Sequence, residues 1–293
     1  MGNTHILPTN NSTHSNCSDI ASVTDTQRRK IGSKTINRLG GQPGHEIKNE
    51  DLDIRWIFRP LPVASFCINP DLIKLTDDPS HALYLPDRPL PGSVQEADEI
   101  QELIELGRLR DEVLNSCQRP HRERRGLSSW MPDVHTGREL GRQFDDESPD
   151  ATYRMVLIEI LSGSDWSLEA KAQMRMVLDA TMYNARLIAW HYKWRSNRGI
   201  SVTYRPRPAE IAPNIDVLYQ ADSPSYPSGH STIAGAASTL LSQCFPQFRA
   251  GFDDLADNVG MSCLWAGVNY RSDHVNGMRL GKAVMQMLIE QLL

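Results

Sequence analysis

Residues 226–230, YPSGH, lead into the apolar run STIAGAASTLLSQC at 231–244, and this passage decides the fold. A proline followed by two small residues is a stopping place for chain direction. The run behind it has the length and content of a helix rather than a strand. A helix that opens at a Ser-Gly-His step can turn its first backbone N–H groups toward an anion, with the serine hydroxyl as a further donor. His230 beside it can give or take a proton near neutral pH.

Working outward, the same helical punctuation recurs. Ser93 and Glu96 have capping-box spacing, which predicts a helix from there to about Cys117 with Ile100, Leu103, Ile104 and Leu114 on one side. Ser148-Pro149 opens another that Gly163 closes. A longer one is expected from about Ser167 to Trp194, with Val177, Ala180, Asn184, Leu187 and His191 at spacings of three and four. After the connector RPRPAEIAP, helices are expected over 229–243, 252–268 and 273–292. Period-2 alternation is scarcely visible, so the reading is an all-α helical bundle.

Residues 1–50 are rich in Asn, Ser, Thr, Gly and basic side chains without helical or strand period and read as a flexible N-terminal arm. Residues 51–293 read as a single helical domain. The 293 residues carry a formal charge of −5, which argues against nucleic acid or acidic membranes as partners. No apolar run reaches the roughly 20 residues a membrane span needs, and the polar opening lacks a secretory core, so the expected location is cytoplasmic. Five cysteines, scattered and odd in number, suggest neither a zinc site nor a disulfide framework.

Three ordered motifs carry chemistry. Pro227-Ser228-Gly229-His230 is the middle one. Upstream, Arg198 stands seven residues before Arg205-Pro206; Lys193 is an alternative first cation, with residues 199–204 as part of an insertion. Downstream, CLWAGVNYRSD (263–273) ends on Asp273. Guanidinium groups supply paired donors that match tetrahedral oxyanions. The set therefore describes a pocket for a phosphate-like group.

The arrangement resembles the superfamily that joins type 2 phosphatidic acid phosphatases, bacterial acid phosphatases and vanadium-dependent haloperoxidases, whose signatures are Lys-x6-Arg-Pro, Pro-Ser-Gly-His and Arg-x5-His-x3-Asp. The likeness covers residues 150–293, and SPSYPSGHST with YRSDHVNG is closer to the soluble haloperoxidase branch. It implies a helical bundle of that type, capable of pairing as a homodimer. It also implies that Lys193 or Arg198, with Arg205, Ser228 and Gly229, binds the oxyanion while His230 acts as acid or base.

Two positions depart from the pattern: Cys263 stands where the resemblance expects Arg, and Asn269 where it expects the histidine that attacks phosphorus or binds vanadium. An amide is a poor nucleophile, so covalent chemistry through residue 269 is excluded and a hydrogen bond from its NH2 to the anion is expected instead. The first expectation is a divergent enzyme acting on a phosphate- or diphosphate-bearing, even prenyl, substrate, with diphosphate loss as its chemistry. The alternatives are a vanadate-loaded haloperoxidase and a non-catalytic phosphate-binding protein. Asp253, Asp254 and Asp257 have a spacing that could hold Mg2+ on a diphosphate, although acidic residues also suit a helix start. His274 reads as a surface residue at a helix start, and Cys263 as a buried, inert thiol, with a nucleophilic thiolate near the arginines and His230 as the alternative.

Overall fold

The computed structural model describes residues 78–114, 130, 134–145, 148–194 and 204–292. The expected N-terminal arm, Cys17, Cys67, Cys117 and Arg198 lie outside the described residues. Eight α-helices are present among them: α1 (Val94–Leu109), α2 (Gly137–Arg142), α3 (Pro149–Ser162), α4 (Leu168–Trp194), α5 (Pro208–Ile211), α6 (Gly229–Cys244), α7 (Arg249–Trp265) and α8 (Arg271–Leu292). The described residues contain no strand, only one isolated bridge between Val113 and Thr136. None of the described helices is long and apolar enough to cross a membrane.

Local chemistry sets most boundaries. The Ser93 hydroxyl accepts from the Glu96 N–H at 3.2 Å, while the Glu96 carboxylate reaches back to the Gly92 N–H at 2.7 Å. Thr136 and Glu139 form a full capping box on α2. Pro149 occupies the first turn of α3, where its missing N–H costs nothing, and Gly163 ends it.

Two sequence expectations are corrected. Helix α1 stops at Leu109, not near Cys117, because Arg110 turns inward to bond Asp216 at 2.9 Å and its backbone carbonyl at 2.7 Å. The buried face of α4 is built on Met174, Val177, Leu178, Thr181, Met182, Ala185, Ile188 and Ala189, so Leu187 is exposed rather than internal.

The core is a bundle in which α6 is central, packed against α4, α7 and α8. Helix α6 is almost wholly buried and rich in Ala, Gly and Ser. Small residues let α8 come close: a Cβ on Gly281 would lie 2.0 Å from the Thr232 carbonyl oxygen. Any side chain there would have to push the two motif-bearing helices apart. Such close packing fixes the start of α6 relative to the start of α8, where the second and third motifs lie.

Candidate active site

The start of α6, the end of α4, the 205–230 connector and the turn before α8 meet at a cavity of about 390 Å3. Its polar wall includes Lys193, Arg207, Arg186, His230, Tyr219 and Asn269, with one carboxylate, Asp145, also on the lining. Phe144, Trp190, Ile233 and Val268 supply the apolar wall. Gly229 and His230 open α6, so the positive end of that helix also faces the space.

Lys193 projects from the last turn of α4 and is buried at 4% exposure. Its Nζ donates to the carbonyl oxygens of Pro224 and, at 3.3 Å, Ser225. Neither partner is charged. Burial, reinforced by Arg207, pushes its pKa down to about 7.

Arg207 is held as tightly and is equally free of a carboxylate on its guanidinium. Nε donates to the Ser223 carbonyl at 2.6 Å, Nη1 to the Val268 carbonyl at 2.7 Å and the Asn269 Oδ1 at 3.0 Å, and Nη2 to the Ser223 hydroxyl at 3.0 Å. Burial lowers its pKa, with more distant negative groups only partly opposing. Arg186, on the same wall, bonds Asp150 at 2.5 Å and Ser148 at 2.9 Å. Lys193 and Arg207 are therefore the lining cations whose charged groups touch no carboxylate.

Arg205 is elsewhere. It is fully buried, with Nη1 on Ser272 (2.7 Å) and Asp273 (2.8 Å), Nη2 on Glu99 (2.7 Å), and its guanidinium 3.6 Å above the Tyr270 ring. Two carboxylates neutralise it. The expectation that Arg205 clamps the anion is thus corrected: in RPRP the second arginine, Arg207, reaches the cavity. Lys193 also lines it, and the spacing between the two cations is longer than the motif because residues 194–206 intervene.

Ser228 and Asn269 are likewise reassigned. The Ser228 hydroxyl caps α6, accepting from the Ser231 N–H at 3.2 Å and the Ser231 hydroxyl at 2.9 Å, and is buried. It caps α6 and is not among the residues that line the cavity. The Asn269 NH2 donates to the Ser225 carbonyl at 2.7 Å and the Asp273 carboxylate at 3.0 Å, while its oxygen receives Arg207. Both amide hydrogens are committed, so Asn269 holds Arg207 in place instead of donating to a ligand. Asp273 anchors the turn, taking the Tyr270 N–H at 2.8 Å, the Ser225 hydroxyl, Asn269 and Arg205.

His230 lines the cavity, with the Phe144 carbonyl and Cys263 next to it. Burial opposes its protonation, but Cys263 and the Phe144 carbonyl prevail and raise its pKa. Cys263 is fully buried behind it. Burial would raise the thiol pKa, yet His230, Arg207 and Ser262 together lower it. Tyr219 also lies next to Cys263. Cys263 is thus buried, as expected, with polar rather than purely apolar neighbours.

Two other expectations change. His274 is buried, its Nδ1 3.0 Å from the Ser231 hydroxyl and its Nε2 3.6 Å from Asp257. Gly260 makes the room, since a Cβ there would fall 1.9 Å from the His274 ring. Asp257 is thereby taken up by His274, and no group of acidic, histidine or cysteine residues suited to a metal occurs among the described residues. Asp253 and Asp254 do not form the anticipated magnesium clamp.

Sequence reasoning missed Arg207, Arg186 and Tyr219. The doubled Arg-Pro of RPRP was the available signal for Arg207. None existed for Tyr219, which the connector brings in.

A PAP2 superfamily model matches residues 199–292. Two curated relatives, the lipid A 1-phosphatases of Rhizobium etli and Rhizobium johnstonii, are each 39% identical over 57 residues, 20% of this chain. The chain matches only 25% and 23% of their lengths. Among solved structures, a bacterial vanadium-dependent iodoperoxidase is similar with a TM-score of 0.53 at 18% identity, over 70% of this chain and 52% of that one. A transmembrane PAP2 type phosphatidylglycerolphosphate phosphatase from Bacillus subtilis gives 0.43 at 16% identity, over 67% and 84%. Residues 199–292, which hold the second and third motifs, thus match the PAP2 superfamily, and the likeness to the iodoperoxidase is one of all-α fold.

Proposed function

We propose that this chain is an enzyme that cleaves a phosphate or diphosphate ester without forming a phosphoenzyme. The observation that carries the reading is the pairing of two buried cations lacking carboxylate partners, Lys193 and Arg207, with His230 around a cavity whose nucleophile position holds Asn269. Buried charge without a counter-ion is costly, and a bound oxyanion relieves that cost. The phosphoryl group sits between Lys193 and Arg207, and its organic part lies against Trp190, Phe144 and Ile233.

His230 as imidazolium gives its proton to the departing oxygen. The bond to phosphorus is then broken by water, or the carbon–oxygen bond ionises and the diphosphate leaves with its charge stabilised by the two cations. Asn269 takes no covalent part. Lys193, with a pKa near 7, couples the charge of the cup to pH.

The test is product release from an aryl phosphate and from farnesyl diphosphate in water carrying heavy oxygen. Phosphate or pyrophosphate should appear, lost in His230→Gln and in Arg207→Gln, with no phosphorylated protein on rapid quenching. The position of heavy oxygen, on phosphate or on the organic product, tells which bond breaks. No release from either substrate overturns the proposal. Bromide oxidation by peroxide after adding vanadate would instead support the haloperoxidase reading.

A further inference from the structure

Seven residues before Lys193, on the same helix, α4 carries Arg186. At 3.6 residues per turn this spacing returns to almost the same face, and a rise of about 1.5 Å per residue sets the two backbone positions about 10 Å apart. Both side chains line the cavity, and so does Trp190, which lies between them in sequence. The cavity therefore runs along α4 from one cation to another.

Arg186 is held differently from Lys193 and Arg207. Its side chain is 40% exposed, and its hydrogen bonds to the Asp150 carboxylate (2.5 Å) and the Ser148 hydroxyl (2.9 Å) are both made by Nη2. Nε and Nη1 have no partner among the described residues. A guanidinium is a planar fork of five N–H donors, so the edge left over matches the oxygens of a phosphate. Asp150 is the fixed member of the pair: its side chain is 9% exposed and also receives the Ser148 hydroxyl.

A salt bridge between α3 and α4 could be no more than a tie between helices. That tie is already present elsewhere, since Arg154 and Asp179 join the same two helices at 2.6 Å and do not line the cavity. What distinguishes Arg186 is its place on the wall, two helical turns from Lys193. One phosphoryl group seated between Lys193 and Arg207 does not extend that far. A ligand that meets all three cations needs a second negative group.

We infer that Arg186 forms a second anion subsite of this cavity and that the ligand is a diphosphate ester, one phosphoryl group lying between Lys193 and Arg207 and the other on Arg186. The inference rests on the reading of the cavity as a phosphoryl site, and it selects the diphosphate over the monophosphate. Nη2 keeps Asp150 while the free edge of the guanidinium takes the ligand. Two carboxylates, Asp150 on the arginine and Asp145 on the lining, oppose the second phosphoryl group, which makes this subsite weaker than the first.

The experiment measures binding alone, by calorimetry on the whole chain. Methylphosphonate is the probe with one phosphoryl group and methylenediphosphonate the probe with two; neither has an ester or anhydride bond to break. The wild type should bind the diphosphonate more tightly by about tenfold or more. Arg186→Gln should remove most of that advantage while methylphosphonate affinity stays within about twofold. Asp150→Asn removes the competing charge, so it should tighten the diphosphonate by about threefold and leave methylphosphonate unchanged.

A pair that only ties α3 to α4 predicts something else: both variants lower the melting temperature and neither alters the ratio of the two affinities. That result overturns the inference. Methylphosphonate bound by the wild type with no advantage for the diphosphonate overturns it too, and spares the proposed function. Binding of neither probe overturns both. A diphosphonate advantage that disappears in Arg186→Gln supports the subsite even where no ester is cleaved, and in that case only the enzymatic reading falls.

Discussion

Arg205 and Arg207 are two residues apart in one Arg-Pro-Arg-Pro sequence, and their surroundings are opposite. Arg205 is sealed between Glu99 and Asp273 with Tyr270 beneath it. Burial opposes its charge, but the two carboxylates raise its pKa. Arg207 faces the cavity and bonds only to carbonyls, a hydroxyl and an amide oxygen, so burial lowers its pKa. The first charge is spent on holding α1 to α8; the second remains available to a ligand. Composition cannot tell such residues apart. What separates them is whether a carboxylate from another part of the chain arrives first.

The largest effect expected from breaking this comparison is at Arg205. Replacing it with Met leaves Glu99 and Asp273 buried and facing each other without a cation. Removing one member of a buried ion network of this kind typically costs about 3–5 kcal/mol. The midpoint of urea unfolding should fall accordingly, and any loss of anion binding should follow the loss of folded protein. An Arg205→Met protein of ordinary stability that had specifically lost sulfate binding would reverse the roles assigned to the two arginines.

Arg207→Gln is the sharper test. An amide can keep hydrogen bonds to the Ser223 or Val268 carbonyl, so stability should change by no more than about 1 kcal/mol. Sulfate affinity, measured by calorimetry, should drop by about 2 kcal/mol or more, roughly thirtyfold. Sulfate is the right probe because its charge is constant where the protein groups titrate.

How far this division was legible in the sequence depends on the kind of signal. The bundle was readable because caps and helix starts are local: Ser93, Ser148-Pro149 and Ser228 each announce a helix within a few residues. The motif positions Lys193, His230 and Asp273 were also visible as a pattern. Choosing Arg207 over Arg205 was not, since it depends on Glu99, more than a hundred residues earlier, reaching Arg205. The same is true of Asn269. Its amide looked like a donor for a ligand, but Ser225 and Asp273 take both hydrogens. The burial of His274 depends on Gly260, whose lack of a side chain makes the space on a neighbouring helix. The failures at Arg205 and His274 concern partners distant in sequence, where periodicity and capping carry no information; at Asn269 one partner, Ser225, is distant and the other, Asp273, lies four residues on.

The most discriminating pH behaviour is expected at Lys193. Unfolded, its amine titrates near the ordinary 10.5; folded and without ligand, near 7. Between those values the unfolded chain holds the extra proton, so stability rises with pH across that window and the penalty of the buried charge is fully present below pH 7. Lys193→Met should remove that slope and raise stability at pH 6 by about 1 kcal/mol, as apolar replacement of a buried charge often does. Ligand binding must run the opposite way. An anion favours the charged amine, so wild-type sulfate affinity should weaken as pH climbs through about 7, whereas Lys193→Met should bind sulfate weakly at every pH. Stability that rises with pH while anion affinity falls identifies Lys193 as a cation kept for a ligand; both quantities independent of pH would place it with Arg205 as part of the scaffold.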